Sequence, residues 1–171
     1  MSKRDLKKYL YILTKEQLEE QIIDLYDKFI DIKVYYNFVF NPKEDKLFQE
    51  AKLKISNEYF PVRGKKPKLR RSTAQKIIKH FNTLGVDSFI VADIMLYSIE
   101  IAQTYSAEKY IKQDSFYKSM LNSFEQAIQY MIEKNNLDTF KNRVGAIANK
   151  TTELNWINQY EFNAIIERFE Y

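Results

Sequence analysis

The sequence predicts an all-α protein, an irregular multi-helix bundle or a short solenoid-like array of seven to eight helices. Apolar residues recur at three- and four-residue steps along most of the chain, the mark of helices with one buried face. Three glycines and three prolines in 171 residues are too few for the tight turns of an all-β fold. Candidate helix starts stand at Thr14, Asn41, Ser72, Asp87, Asp114, Asp138 and Thr152, at no fixed interval, so no internal repeat organises the chain. A chain of this length is expected to form a single domain over 1–171, removing about 70% of its unfolded surface from water.

Ser2, with Asp5 three residues on, caps a first short helix from Lys3 to about Leu13, in which Leu6, Tyr9, Leu10 and Leu13 share one face. Thr14 and Gln17 form the next capping box. A long helix follows, with an apolar seam of Leu18, Ile22, Leu25, Phe29, Ile32, Tyr36 and Val39 and an acidic stripe of Glu16, Glu20, Asp24, Asp27 and Asp31. Asn41-Pro42 breaks it, because proline disfavours helical geometry in the residue before it. A third helix runs to about Glu58 on Leu47, Phe48, Ala51 and Ile55. Pro61, Gly64 and Pro67 keep the following stretch, about 59–71, irregular.

Ser72 and Gln75 read as a capping box for a helix whose Ala74, Ile77, Ile78 and Phe81 face inward. Gly85 supplies a left-handed stop and Asp87 the next cap, making an αα-hairpin. The helix from Ser88 to about Tyr105 is the most apolar and is expected at the centre, its polar stripe being Asp93, Tyr97, Glu100 and Thr104. Asp114 opens a helix that stops near Asn135 and Asn136, and a shorter one covers Asp138 to about Asn149, where Gly145, Ala146 and Ala148 suit close helix contact. Thr152 opens the last, carrying Leu154, Trp156, Ile157, Tyr160, Ile165, Ile166 and Phe169.

With no cysteine there is neither a disulfide framework nor a thiolate metal site, which suits a reducing compartment. The apolar run Tyr9 to Leu13 is too short for a signal peptide, and no uncharged run approaches the ~20 residues of a membrane span. The expected location is cytoplasmic, with no membrane partner. His80, the one histidine, cannot make a multi-histidine metal site, and neither a glycine elbow nor a phosphate-cradling glycine loop is present. No catalytic residue, metal or cofactor is assigned, and an enzyme is the less expected class. His80 is read as a packing residue within hydrogen-bonding reach of Asp93 across the hairpin. Asp93 and Glu100 are read as an exposed stripe or as ion-pair partners of the basic 63–79 segment, with a polar pocket including Tyr97 as the sharper alternative.

Charge is concentrated in one place. Tyr59 to Leu84 carries Arg63, Lys65, Lys66, Lys68, Arg70, Arg71, Lys76 and Lys79 with no carboxylate, a formal +8 against +4 for the whole chain. The remainder therefore sums to −4. Ser72, Thr73 and Ala74 would offer hydroxyls and backbone N–H groups at a helix N-terminus, where an oxyanion is favoured, and Arg70 and Arg71 would clamp a phosphate bidentately. Tyr59 and Phe60 stand beside the loop as stacking surfaces or as core. The expected ligand is a polyanion, RNA or DNA, or a smaller phosphorylated molecule. The alternative is a helical module that binds a protein partner or itself through the last helix or the Leu18–Val39 seam, with the acidic stripe 16–31 neutralising the basic loop.

The opening Ser2 to Leu10, Leu13 to Gln21, Phe40 to Leu47 and the run Arg70 to Lys76 resemble a family of small bacterial proteins known only as a domain of unknown function. The resemblance spans nearly the whole chain. It implies a stand-alone bacterial domain and carries no activity, cofactor or catalytic residue.

Overall fold

A computed structural model describes residues 1–62 and 65–169. Among these the chain is all-helical, with nine helices. They are α1 (Lys3–Tyr11), α2 (Lys15–Lys28), α3 (Ile30–Phe40), α4 (Glu44–Tyr59), α5 (Arg71–Leu84), α6 (Ser88–Glu108), α7 (Asp114–Glu133), α8 (Leu137–Glu153) and α9 (Gln159–Phe169). No described helix is long and apolar enough to cross a membrane. The chain divides into two compact units, Met1–Pro42 and Lys43–Tyr171.

In residues 1–42 both expected capping boxes form. Ser2 Oγ accepts from the Asp5 N–H while Asp5 accepts from the Ser2 N–H, and Thr14 and Gln17 do the same. The long second helix does not persist. At Phe29 the backbone turns extended (φ −119°, ψ 118°), ending α2 and starting α3. The stretch Phe29 to Tyr36 is dense in β-branched and aromatic residues, which lose side-chain freedom in a helix, so propagation is weakest there. The break brings Tyr36 against Tyr26, centroids 6.4 Å apart, and gives Tyr26 Oη a contact to Asn37 Oδ1 at 3.5 Å. It also moves Asp31 off the helix bearing the rest of the acidic stripe, and it brings the helix total to nine where seven or eight were expected.

In residues 43–171, α6 is central as its composition predicts. It packs on α4, α5, α7 and α8, with Val91, Ala92, Ile94, Leu96 and Ile99 wholly buried. Gly85 ends α5 at φ 76°, a conformation that penalises any side chain, and the Val86 N–H returns to the Phe81 carbonyl. Asp87 Oδ1 then accepts from the Phe89 N–H at 2.7 Å, so the α5–α6 hairpin is built as expected.

Two asparagines serve as the same kind of stop. Asn135 and Asn155 adopt φ 56° and 52°, and the following residues return hydrogen bonds to Met131 and Thr151. The second stop corrects the last boundary: Thr152 lies inside α8 and α9 opens at Gln159. Trp156 fills the turn between them, buried, donating from Nε1 to Ser106 Oγ at 3.0 Å and lying edge-on to Phe116 and Phe162. Phe162 and Ile165 dock α9 on the body. Gly145 makes no close helix contact: a Cβ there would meet nothing within 4 Å. It faces a cleft of about 520 Å³ walled by Ile128, Ile166 and Phe169 and, along α8, by Asp138, Asn142 and Asn149.

Candidate polyanion-binding surface

The last turn of α4, the connection to α5 and α5 itself carry the basic segment. Glu58 is its anchor. A carboxylate in the last turn of a helix faces the negative end of the helix dipole and needs a positive partner. Glu58 finds one in Arg70, whose Nε donates to Oε2 at 3.0 Å and whose Nη2 donates to Oε1 at 2.8 Å. Thr73 Oγ1 donates to the same Oε1 at 2.9 Å. The Glu58 carbonyl accepts the N–H groups of Lys68 and Leu69, at 2.9 and 3.1 Å, where Leu69 is turned into the left-handed region at φ 53°. One buried residue thus holds the end of the loop through five hydrogen bonds. Those from Arg70 chiefly hold the Glu58 carboxyl below its usual range, against the opposing effect of burial.

Arg71 points the other way. Its Nε donates to Ser123 Oγ at 2.6 Å and its Nη2 to Gln126 Oε1 at 2.7 Å, fastening α5 to α7. Burial holds its guanidinium below its ordinary value. Both arginines expected to clamp a phosphate are therefore bonded to side chains of this chain, Arg70 while still half-exposed. The Ser72–Gln75 capping box does not form, because α5 begins two residues earlier with Arg70 at its N-cap. Thr73 spends its hydroxyl on Glu58 and its N–H on the Arg70 carbonyl, leaving Ser72 as the outward hydroxyl of that turn.

Five lysines remain on the outside. Lys65, Lys66, Lys68, Lys76 and Lys79 are exposed, and their ammonium groups have no hydrogen-bond or ion-pair partner among the described residues. Arg63 lies outside the described residues. Ser72, Lys76, Lys79 and Thr83 follow one another at steps of four, three and four and share the outer face of α5, with exposed His80 beside them. A shallow groove of about 470 Å³ runs along this helix between Lys79 and Thr83 on one side and Met95 and Gln126 on the other. Tyr59 is not a stacking surface. It is buried against Tyr105, and burial, with Glu58 nearby, pushes its phenol far above the ordinary value. Phe60 meets Tyr105 edge-on at 5.7 Å and is partly exposed.

Asp93 and Glu100 are claimed by a residue the sequence did not single out. Arg143 of α8 donates from Nε and Nη2 to both Glu100 oxygens, at 2.6 and 2.7 Å, and from Nη1 to Asp93 Oδ1 at 2.7 Å. Burial works against its charge, and the bonds to Glu100 and Asp93 more than offset it, raising its pKa. His80 is therefore not the partner of Asp93, nor is the basic segment. Tyr97 leaves this stripe, its hydroxyl sharing a 2.7 Å hydrogen bond with Ser56 Oγ and its ring lying under Lys52. A signal existed for Arg143: two carboxylates seven residues apart on an apolar helix call for a forked cation, and Arg143 is the one arginine of α8. Glu58 was legible too, as an acid at a helix C-terminus just before the cationic run.

Among the described residues the carboxylate paired with the basic segment is thus Glu58. In the acidic stripe Asp24 pairs with Lys28 and Asp27 with Lys33. Among the described residues no group of three or more His, Asp or Glu side chains converges to hold a metal ion. No curated protein and no solved structure matches the chain. A sequence model does match residues 1–170, and by it the chain belongs to a family of unknown function, DUF6155.

Proposed function

We propose that the protein binds RNA or DNA through backbone phosphates, on the lysine face made by residues 65–68 and the outer side of α5. The observation that carries this reading is a division of labour in one cationic segment: Arg70 and Arg71 are bonded to side chains of the body while five lysines are left outside, with no carboxylate between Tyr59 and Val86. Lysine ammoniums on flexible stems neutralise phosphates as point charges, which gives affinity without strong sequence preference. Glu58 supports the site from beneath by fixing where the loop rejoins α5, so that the lysines of the loop and those of the helix are held on one connected stretch of chain. Such a role needs no cofactor or catalytic group, and the lack of cysteine suits the cytoplasm of a bacterium.

The test is a salt-dependent titration of the full chain with labelled single- and double-stranded oligonucleotides. Five phosphate contacts predict a fall in affinity on the order of 10²- to 10³-fold between about 50 and 200 mM salt. Reversing Lys65, Lys66, Lys76 and Lys79 to Glu should abolish binding and leave the melting temperature nearly unchanged, because none of the four has a partner to lose. Wild-type protein that binds neither oligonucleotide at the low-salt end would overturn the reading.

A further inference from the structure

Residues 1–42 pose a separate question. They form a compact unit, yet none of the residues of α1, α2 or α3 is buried. Leu6, Ile22, Leu25, Phe29, Val34 and Val39 are all exposed. A unit this short cannot bury enough surface to close a core alone, and an apolar surface of this kind marks a place where something else sits.

Charge says what that something is. α1 carries Lys3, Arg4, Lys7 and Lys8 against Asp5, a net +3, while α2 carries Glu16, Glu19, Glu20, Asp24 and Asp27 against Lys15 and Lys28, a net −3. α3 is neutral, with Asp31 and Lys33. Among the described residues no ion pair joins α1 to α2; the pairs present lie within α2 or join it to α3. The polar link between α1 and α2 is uncharged, from Gln21 Nε2 to Tyr9 Oη. An occupant of the apolar faces must therefore present both a negative and a positive helix. A second copy does so by construction, since a twofold axis sets α1 of each copy against α2 of the other.

We propose that residues 1–42 are a self-association module through which two copies of this chain pair, apolar faces together and α1 against α2. A dimer would also bring two lysine faces into one particle. This inference does not depend on nucleic-acid binding, because its readout is mass.

The experiment measures the mass of the full-length protein by sedimentation across a wide dilution series, alone and in mixtures. Wild type should be a dimer that dissociates on dilution. The variants Lys7→Glu with Lys8→Glu, and Glu19→Lys with Glu20→Lys, should each be monomeric, because each sets like charges face to face. Mixed in equal amounts, they should recover dimer mass, since both contacts of the mixed pair then join opposite charges. An unchanged far-ultraviolet circular dichroism spectrum shows that each variant remains helical, and a second pair, Lys3→Glu with Arg4→Glu against the same α2 variant, guards against one variant failing to fold. Wild type at monomer mass throughout overturns the proposal and points to another chain, or residues 43–171 of the same chain, as the cover. Mixtures that stay monomeric overturn the α1-to-α2 pairing.

Discussion

Residues 1–42 and residues 43–171 are written in the same helical alphabet and end in opposite states. In the larger unit the stripe of every helix finds another stripe, and Val91, Leu96, Phe124, Trp156 and Phe162 vanish from solvent. In the smaller unit stripes as regular as Leu18, Ile22 and Leu25 stay at least partly open. Periodicity reports that a helix has an apolar face; it does not report what covers it. The difference can be broken with a single charge. Ile99→Asp places an unpaired carboxylate in the centre of α6, a cost of several kcal/mol against the roughly 5–15 that hold a domain together, so residues 43–171 should lose their cooperative thermal transition. Ile22→Asp, at an exposed position of α2, should leave that transition in place. If both variants melt alike, the two units are not energetically distinct.

That contrast explains which parts of the structure the sequence disclosed. The Gly85 turn, the Asp87 cap, the Ser2 and Thr14 boxes and the central α6 all depend on residues within a few positions of one another, and they appear as expected. The break at Phe29 was hidden because the seam's three- and four-residue steps continue through it, while the weakness lies in the helix propensity of the residues between. At the candidate site the lysines were legible as charge, but not the tethering of Arg70 and Arg71, which depends on Glu58 and on Ser123 and Gln126 lying 12, 52 and 55 residues away. Long-range pairing of this kind is a property of the packed body, and local spacing does not carry it.

The two units also differ, by a smaller energy, in how their carboxylates are held. In the larger unit Glu58 is enclosed and bonded on both oxygens; in the smaller, Asp24 meets Lys28 in open solvent. Glu58→Gln should cost about 1–2 kcal/mol, a value tempered by the exposure of Arg70, whereas Asp24→Asn should change stability by no more than about 0.5. The pH dependence has a definite sign. The folded Glu58 carboxyl lies below its unfolded value, so its contribution is fully present above the ordinary carboxylate pKa of about 4.3 and is lost as the pH falls through the folded value. Wild type should therefore lose stability over that acid range more steeply than Glu58→Gln, and the two melting curves should converge at low pH. Parallel curves would mean that Glu58 is not the carboxylate that holds the loop.

The smallest effect concerns a place where the larger unit resembles the smaller, a helix face left open. Gly145 lies inside α8, has no positive φ, and would bring a new Cβ into contact with nothing. Glycine in a helix interior gives up more chain entropy than alanine, at a cost of about 0.5–1 kcal/mol. Gly145→Ala should recover that amount and raise the melting temperature by about 1–4 °C in a chain of this size. Because the added methyl projects toward the cleft of about 520 Å³, the sign of the shift reads the cleft as well. A gain in stability means that the face above Gly145 is open to water in solution. A loss means that something packs there closely enough to meet a single methyl group, so that this face belongs with those that find a cover.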